Sequence, residues 1–109
     1  MKRYKSKEFE EDCRICGHYN SAPLNIARAV SSKVLGREKT HLHEDDFEYY
    51  FFLKGEGILE INGEKHAYQA GDVFLVESGE KHKMLEIKKE TDYITIRSNI
   101  NPENKVVFD

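Results

Sequence analysis

The chain has 109 residues, which is the size of a single domain. Its 17 basic and 20 acidic residues give a formal net charge of −3, and its pI of about 6.0 is far below that of a domain that binds nucleic acid through a basic surface. The mean hydropathy is −0.72, and no apolar run is long enough to cross a membrane. We therefore expect neither nucleic acid nor a membrane as the partner.

The N-terminal residues are highly charged and lack the apolar segment of a secretory signal. Because two cysteines cannot build a disulfide scaffold, we expect reduced thiols and a cytoplasmic protein. Cys13 and Cys16 form a C-x-x-C pair, half of a tetrahedral zinc site to which His18 could add a third ligand. The other interpretations are a functional thiol pair and free thiols in an N-terminal arm.

From residue 25 onwards, short stretches of β-branched, aliphatic and aromatic residues alternate with breaks rich in glycine and charge. This pattern is typical of an all-β domain, and the spacing of the stretches favours a sandwich or a barrel. Residues 54–56 and Asn62-Gly63 are predicted hairpin connections. The predicted strands span residues 25–30, 33–35, 47–53, 57–62, 64–69, 73–77, 82–87 and 93–97.

We expect three regions: an N-terminal arm at residues 1–24, a barrel domain at residues 25–98 and a tail at residues 99–109. The tail ends with a short apolar stretch at residues 106–108. It is either an exchanged edge strand or a loose end.

Three histidines and one glutamate are candidates for a metal site. His41 and His43 share a face if they lie in a strand, because alternate side chains point the same way. Glu48 follows five residues later, and His82 opens a later strand. Imidazole and carboxylate ligands suit divalent transition metals, and ligand types alone leave Fe, Mn, Ni, Zn, Co and Cu open. A surface or core histidine is the plainer interpretation of His18 and His66, which stand alone.

Two motifs in the chain resemble those of the cupin superfamily, in particular its small single-domain members. The first motif runs through Gly36, His41, His43, Glu48 and Gly55, and the second runs from Gly71 to His82. The motifs occur in the family's order, and the resemblance covers most of residues 25–98. The departures are four residues instead of the common five between Gly36 and His41, Glu77 in place of a usual proline, and Glu86 in place of a frequent asparagine.

The resemblance implies a single-domain jelly-roll β-barrel of six to eight strands with one divalent transition metal inside. The implied metal ligands are His41, His43, Glu48 and His82. The acidic run at residues 44–46 is interpreted as a solvated loop at the barrel mouth, although Glu44 or Asp45 could replace Glu48 as a ligand.

Strand alternation predicts the wall of the binding pocket. If Glu48 points into the barrel, Tyr50 and Phe52 do so too, and Met84 points inward two residues after His82. This wall is mostly apolar, which suits a small and partly hydrophobic substrate. Tyr50, Phe52 and Met84 are therefore predicted to contact the substrate.

Three charged positions are candidates for roles in the reaction. Glu86 would point inward by the same alternation, where it could act as a catalytic general base or orient a metal ligand; the alternative is a solvent-reaching position at the mouth. Arg97 or Arg28 could bind a substrate carboxylate or phosphate through the two-pronged contact of a guanidinium group. Each arginine could instead be a surface cation.

The opposite face of the same strand is too apolar for water. It carries Phe47, Tyr49, Phe51 and Leu53, which should pack against an N-terminal strand or against a second subunit. We expect a homodimer, with burial inside one chain as the alternative.

These features predict a metal-binding cupin that acts as an enzyme, of dioxygenase or isomerase type, on a small organic molecule. The alternative is a cupin that binds a small ligand as a sensor without turning it over. A structural β-module without a metal is a third interpretation. Fold does not fix function, and the substrate and metal identity stay open.

Overall fold

The computed structural model describes residues 1–5, 13–17, 21–32, 40–43, 46–98 and 105–107, with the backbone alone at residues 13, 14, 42, 43 and 105–107. Within these ranges the chain forms eight β-strands, which confirms the all-β class. None of the described residues belongs to a helix with the length and apolarity that a membrane crossing requires. The strands are β1 (Cys13–Cys16), β2 (Asn25–Ser31), β3 (His41–His43), β4 (Glu48–Ile61), β5 (Glu64–Gln69), β6 (Val73–Val76), β7 (His82–Arg97) and β8 (Lys105–Val107).

The two long strands, β4 and β7, form an antiparallel pair around which the other strands are arranged. They pair from Glu48 opposite Arg97 to Ile61 opposite His82. The half of this ribbon near Glu48 belongs to a first sheet, flanked by β6 on one side and by β2 and β1 on the other. The half near His82 belongs to a second sheet, flanked by β5 on one side and by β3 and β8 on the other. One two-stranded ribbon therefore runs through both layers of the barrel.

The β4–β7 ribbon bends where its register shifts repeatedly, between Phe52 and Gly57. Gly55 has a φ of 105°, a conformation that residues with a Cβ rarely adopt. A Cβ at this position would also lie 2.6 Å from the Glu90 carbonyl oxygen. The hairpin predicted at residues 54–56 is therefore wrong, because this glycine bends one continuous strand. The predicted strands at residues 82–87 and 93–97 are likewise parts of one strand, β7.

The bend changes which side chains of β4 face the core. Before it, Glu48, Tyr50 and Phe52 are buried, and the residues between them are exposed. After it, Gly57 and Leu59 are buried, so the buried positions change from even to odd numbers. The inward orientation predicted for Tyr50 and Phe52 is confirmed.

The core combines buried side chains from the inner faces of both sheets. They are Tyr50, Phe52, Leu59, Tyr68, Val76 and Met84. Phe52 stacks on Tyr68 with ring centroids 3.8 Å apart. The Tyr68 hydroxyl donates to Thr91 Oγ1 at 2.7 Å, because the Thr91 hydroxyl proton is donated to the Lys89 carbonyl. Burial raises the pKa of Tyr68, and the hydrogen bond with Thr91 opposes part of that rise.

Both terminal regions contribute strands. The region predicted to be an arm contributes β1, which pairs with β2, and the buried Cys16 directs its thiol to the Leu24 carbonyl at 3.7 Å. The tail contributes β8, which pairs with β3. The predicted strand at residues 33–35, His18 and the side chain of Cys13 lie outside the described residues, so the hypotheses for the C-x-x-C pair stay predictions.

Replacing Gly55 with alanine should lower the free energy of unfolding by about 3 kcal/mol, because both the positive φ and the overlap with the Glu90 carbonyl are unfavourable. Gly71→Ala is the matched control, since Gly71 has a φ of 94° but a Cβ there would meet no atom within 4 Å. The Gly71→Ala variant should lose only about 1 kcal/mol of unfolding free energy, from backbone strain alone. Urea unfolding followed by circular dichroism measures both losses. Equal losses would mean that the bend can widen to admit a side chain.

The Tyr68 hydroxyl should give a pH-dependent contribution to stability. Because its pKa in the folded protein is raised above the ordinary value of 10.0, this contribution is complete below about pH 10 and is lost as the pH rises through the folded pKa. Tyr68→Phe should unfold about 1 kcal/mol more easily than wild type at neutral pH, through loss of the hydrogen bond to Thr91. The difference in urea stability should narrow above pH 10, and a constant difference across that range would contradict the assignment.

Candidate metal centre

Three buried side chains converge between the two sheets. His41 and Glu48 are each 8% exposed, and His82 is 1% exposed. Each offers one ligand atom, and the three atoms lie within 4.8 Å of one another. His41 and His82 are cross-strand neighbours in the second sheet, with ring centroids 4.1 Å apart, and Glu48 reaches them from the first sheet. These three residues could hold a metal ion.

The imidazole of His82 limits what can lie between it and Glu48. Its Nδ1 is 3.0 Å from the backbone carbonyl of Glu80, and because a carbonyl only accepts, Nδ1 carries a proton. Its Nε2 is 3.0 Å from Glu48 Oε1. A bare lone pair on Nε2 would face a carboxylate oxygen, so a proton or a cation has to lie between the two atoms. Anchoring one ring nitrogen to a carbonyl is also the usual way to orient a histidine that binds a metal.

The distance between His82 Nε2 and Glu48 Oε1 suits two ligands of one divalent transition metal as well as a direct hydrogen bond. Nitrogen and oxygen ligands lie about 2.1 Å from such an ion, so two ligands at right angles are about 3.0 Å apart. This is the distance between His82 Nε2 and Glu48 Oε1. The donor set leaves the identity of the metal open. His43, the other predicted ligand, follows in β3, and its side chain lies outside the described residues.

A turn after β4 holds the segment that leads into His82. Asn62 and Gly63 have φ values of 51° and 79°, which confirms the predicted turn with two positive φ angles. The backbone N–H of Asn62 donates to the Lys81 carbonyl at 2.7 Å, and its side-chain oxygen accepts from the Lys81 N–H at 3.0 Å. The Asn62 side-chain amide also donates to the Glu80 carboxylate at 3.1 Å. These bonds fix the backbone of Glu80, whose carbonyl orients His82.

Backbone pairing on both sides holds Glu48 in place. In the first sheet Glu48 lies between Val76 of β6 and Arg97 of β7. Immediately before it, the Phe47 N–H donates to Ser98 Oγ at 3.2 Å, and the Phe47 carbonyl accepts from the Ser98 N–H at 3.2 Å. These contacts fix the start of strand β4 at Glu48, its candidate metal ligand.

Arg97 brings a positive charge to the inner face beside Glu48. The two residues are cross-strand partners and share one face of the sheet. Arg97 Nε lies 3.4 Å from Asp46 Oδ2, and the Asp46 side chain has 0% exposed surface. The interpretation of residues 44–46 as a solvated loop is therefore wrong at Asp46. A signal was available in the sequence, because Asp46 precedes Glu48 by two residues and an extended chain turns both to the same face.

The three residues that are predicted to contact the substrate all lie inside the barrel, but at different depths. Tyr50 borders the centre, because its ring meets the His82 ring edge-on with centroids 5.9 Å apart. Phe52 and Met84 are buried in the core, and Phe52 is deep enough to stack on Tyr68. Contact of any of these residues with a substrate stays a prediction.

The prediction that Glu86 points into the barrel is wrong. A register shift against β4 between Ile58 and Leu59 interrupts the alternation. Met84 is therefore buried and Glu86 is exposed, while Ile87 packs against the core. Glu86 lies on the outside of β7 and does not face the cluster of ligand candidates.

Arg28 also points away from the centre. It lies opposite Ile94, on the outer face of the first sheet. Its guanidinium group binds the Asp92 carboxylate through two hydrogen bonds, of 2.9 and 2.5 Å. Of the two candidate arginines, Arg97 alone faces the interior.

The sequence model of the cupin domain matches residues 33–96, which is more than half of the chain. The chain belongs to the cupin family. An oxalate-binding protein of Thermotoga maritima is 46% identical to this cupin over 44 residues. That match spans 40% of this chain and 36% of the length of the relative.

Solved structures show the same fold. A variant of Streptomyces Pac13 with uridine has a TM-score of 0.73 and 16% identity, and the match covers 99% of this cupin and 92% of that chain. A cupin protein from Bacteroides fragilis has a TM-score of 0.66 and 22% identity, with 94% and 89% covered. The predicted jelly-roll barrel class is confirmed.

Glu48→Gln should lower the affinity for a divalent metal by roughly 100-fold, because loss of a residue that merely supports a ligand already costs about 10–100-fold. The amide keeps the shape of the side chain but removes its negative charge. Glu86→Gln, on the exposed face of β7, is the matched control and should retain the metal. Elemental analysis after dialysis against a buffered metal concentration measures both variants. A full metal complement in Glu48→Gln would remove this residue from the ligand set.

Proposed function

We propose that this cupin binds one divalent transition metal and uses it to transform a small organic acid, in a reaction of dioxygenase or isomerase type. The observation that carries the proposal is the buried convergence of His41, Glu48 and His82, whose ligand atoms lie within 4.8 Å of one another. His43 is proposed as a further ligand. When bound, such a metal supplies Lewis acidity, and a redox-active metal also supplies electron transfer to oxygen.

The electrostatics of the centre support a cation rather than a purely structural pair. A buried carboxylate is costly unless an opposite charge or hydrogen bonds compensate for it. Glu48 Oε1 lies 3.0 Å from His82 Nε2, and the other nitrogen of that ring is 3.0 Å from the Glu80 carbonyl oxygen. A divalent ion held by Glu48 and His82 would supply the positive charge that compensates the buried carboxylate.

Arg97 supports an anionic substrate. A guanidinium group recognises a carboxylate through two parallel hydrogen bonds, and Arg97 lies on the inner face directly across from Glu48. Arg97 Nε forms an ion pair with the buried Asp46 carboxylate at 3.4 Å, which keeps the guanidinium group on the inner face beside the centre. A small acid could then be held at one end by the metal and at the other by Arg97.

The filling of the barrel limits the size of that substrate. Phe52 and Leu59 have no exposed surface, and the stacked rings of Phe52 and Tyr68 are packed in the core together with Leu59. A substrate would therefore occupy only the end of the barrel that contains the metal ligands, with the Tyr50 ring as its apolar floor. This favours a molecule of a few carbon atoms over a larger sugar or nucleoside.

Metal analysis combined with ligand binding tests the proposal. Protein purified without added metal should contain about one transition-metal ion per chain, and the double variant His41→Ala, His82→Ala should contain none. The metal-loaded protein should bind oxalate in calorimetry, and Arg97→Gln should weaken that binding by roughly tenfold to 100-fold while the metal content stays constant. Absence of metal from wild type, even after reconstitution, would overturn the proposal.

Binding without turnover is a second candidate function, favoured by the partial similarity to a protein named for oxalate binding. Oxygen uptake and nuclear magnetic resonance of the recovered acid distinguish the two functions. Metal-dependent consumption of the acid supports an enzyme, whereas unchanged acid after prolonged incubation supports a sensor. The cytoplasmic location predicted from the sequence stays a prediction.

A further inference from the structure

Asp46 is a buried carboxylate for which metal binding does not account. The converging ligand atoms belong to His41, Glu48 and His82. The Asp46 side chain has 0% exposed surface, and its Oδ2 lies 3.4 Å from Arg97 Nε. A buried carboxylate costs free energy unless an opposite charge compensates for it. Asp46 therefore takes up part of the positive charge of Arg97, the residue proposed to hold the substrate.

The main chain fixes the position of Asp46 relative to Arg97. Asp46 directly precedes Phe47, and Arg97 directly precedes Ser98. The Phe47 carbonyl accepts from the Ser98 N–H, and the Phe47 N–H donates to Ser98 Oγ, both at 3.2 Å. Glu48 is the cross-strand partner of Arg97, so Asp46, two residues earlier, is a diagonal neighbour of Arg97 on the same face. The pairing of the two charges therefore follows from the strand register.

The influence of Asp46 on Arg97 is mainly that of its charge. Hydrogen bonds between a guanidinium group and a carboxylate are usually about 2.7–2.9 Å long, whereas the contact between Asp46 and Arg97 measures 3.4 Å. A hydrogen bond weakens steeply at such a separation, but a Coulomb attraction falls only in proportion to the distance. Asparagine would keep the shape of the side chain and remove its charge. The charge can therefore be tested separately from the packing.

The charged groups around the centre determine which ligand charge is compensated. Within the described parts of the chain, Asp46 and Glu48 are the buried acidic side chains, and the guanidinium group of Arg97 faces them. The carboxylates carry two negative charges, Arg97 carries one positive charge and a divalent ion would add two, since histidines that bind a metal are neutral. One negative charge on the ligand would balance this set. A second one would lack a partner in a medium of low dielectric constant and would be repelled by Asp46.

We propose that Asp46 is a specificity-determining residue, which disfavours a second negative charge on the ligand. This inference rests on the proposed function, because it requires the metal and an acid bound at Arg97. The substrate class that follows is a small acid with one carboxylate and a neutral second group, such as a hydroxyl. Without the charge of Asp46, the metal and Arg97 would each attract one carboxylate and would together favour a dicarboxylate.

Glycolate and oxalate separate the effect of charge from that of size. Both contain two carbon atoms, and glycolate has a hydroxyl group where oxalate has its second carboxylate. Calorimetry on the metal-loaded full chain near neutral pH measures the affinity for each acid. Asp46→Asn should raise the ratio of oxalate affinity to glycolate affinity by roughly tenfold to 100-fold over wild type, because the second carboxylate no longer meets a like charge.

Glu77→Gln is the matched control. Glu77 lines the same surface groove as Asp46, but it is exposed, and solvent and salt screen its charge. This variant should show the affinity ratio of wild type. Asp46→Ser removes the same charge with a smaller side chain and should shift the ratio in the same direction as Asp46→Asn. Circular dichroism identifies which of the variants are folded.

Elemental analysis of the same samples separates the two proposals. An unchanged affinity ratio in folded Asp46 variants that keep a full metal complement would overturn this inference and leave the metal function standing. Equal weakening of both acids would also overturn it, because Asp46 would then only position Arg97. Absence of metal from wild type, even after reconstitution, would overturn the proposed function and this inference together.

Discussion

The folding of the β4–β7 ribbon back on itself is the constraint on which the candidate metal centre depends. Glu48 pairs with Arg97 and His82 pairs with Ile61, so the two ligand candidates lie at opposite ends of the ribbon. In a flat ribbon of this length they would be on the order of 40 Å apart, at about 3.3 Å per residue. In the folded barrel, Glu48 Oε1 and His82 Nε2 are 3.0 Å apart. Because the ribbon bends at Gly55, its two ends lie next to each other and form a single site.

The same bend explains where sequence reasoning succeeded and where it failed. Local signals identified the turn at Asn62-Gly63 and the inward residues of β4 before the bend, because each depends on a few neighbouring residues. A glycine flanked by charged residues occurs in β-bulges as well as in hairpin turns. Composition alone therefore could not predict that β4 and β7 are continuous strands. The error at Glu86 follows from that, since alternation counted from His82 holds only until the register shifts.

In the centre, each of two buried carboxylates has a different partner. Asp46 and Glu48 are both buried, and two neighbouring carboxylates would repel each other in a medium of low dielectric constant. Asp46 is directed to Arg97, whereas Glu48 is directed to His82. The resemblance to cupins pointed to Glu48 and the two histidines through their spacing. The burial of Asp46 was not predicted, because the residues of an acidic run are usually solvated. Only its position two residues before Glu48 distinguishes Asp46 from its neighbours.

The alternation along the first half of β4 has a consequence for how this chain can evolve. Glu48 and Tyr50 face the centre, while Phe47, Tyr49 and Phe51 face outward. Individual side chains in this segment can change in small steps without affecting the opposite face. A deletion or insertion of a single residue would exchange the two faces, which would put an aromatic ring among the histidines and a carboxylate on the apolar surface. Length variation among descendants of this sequence should therefore be absent from this segment.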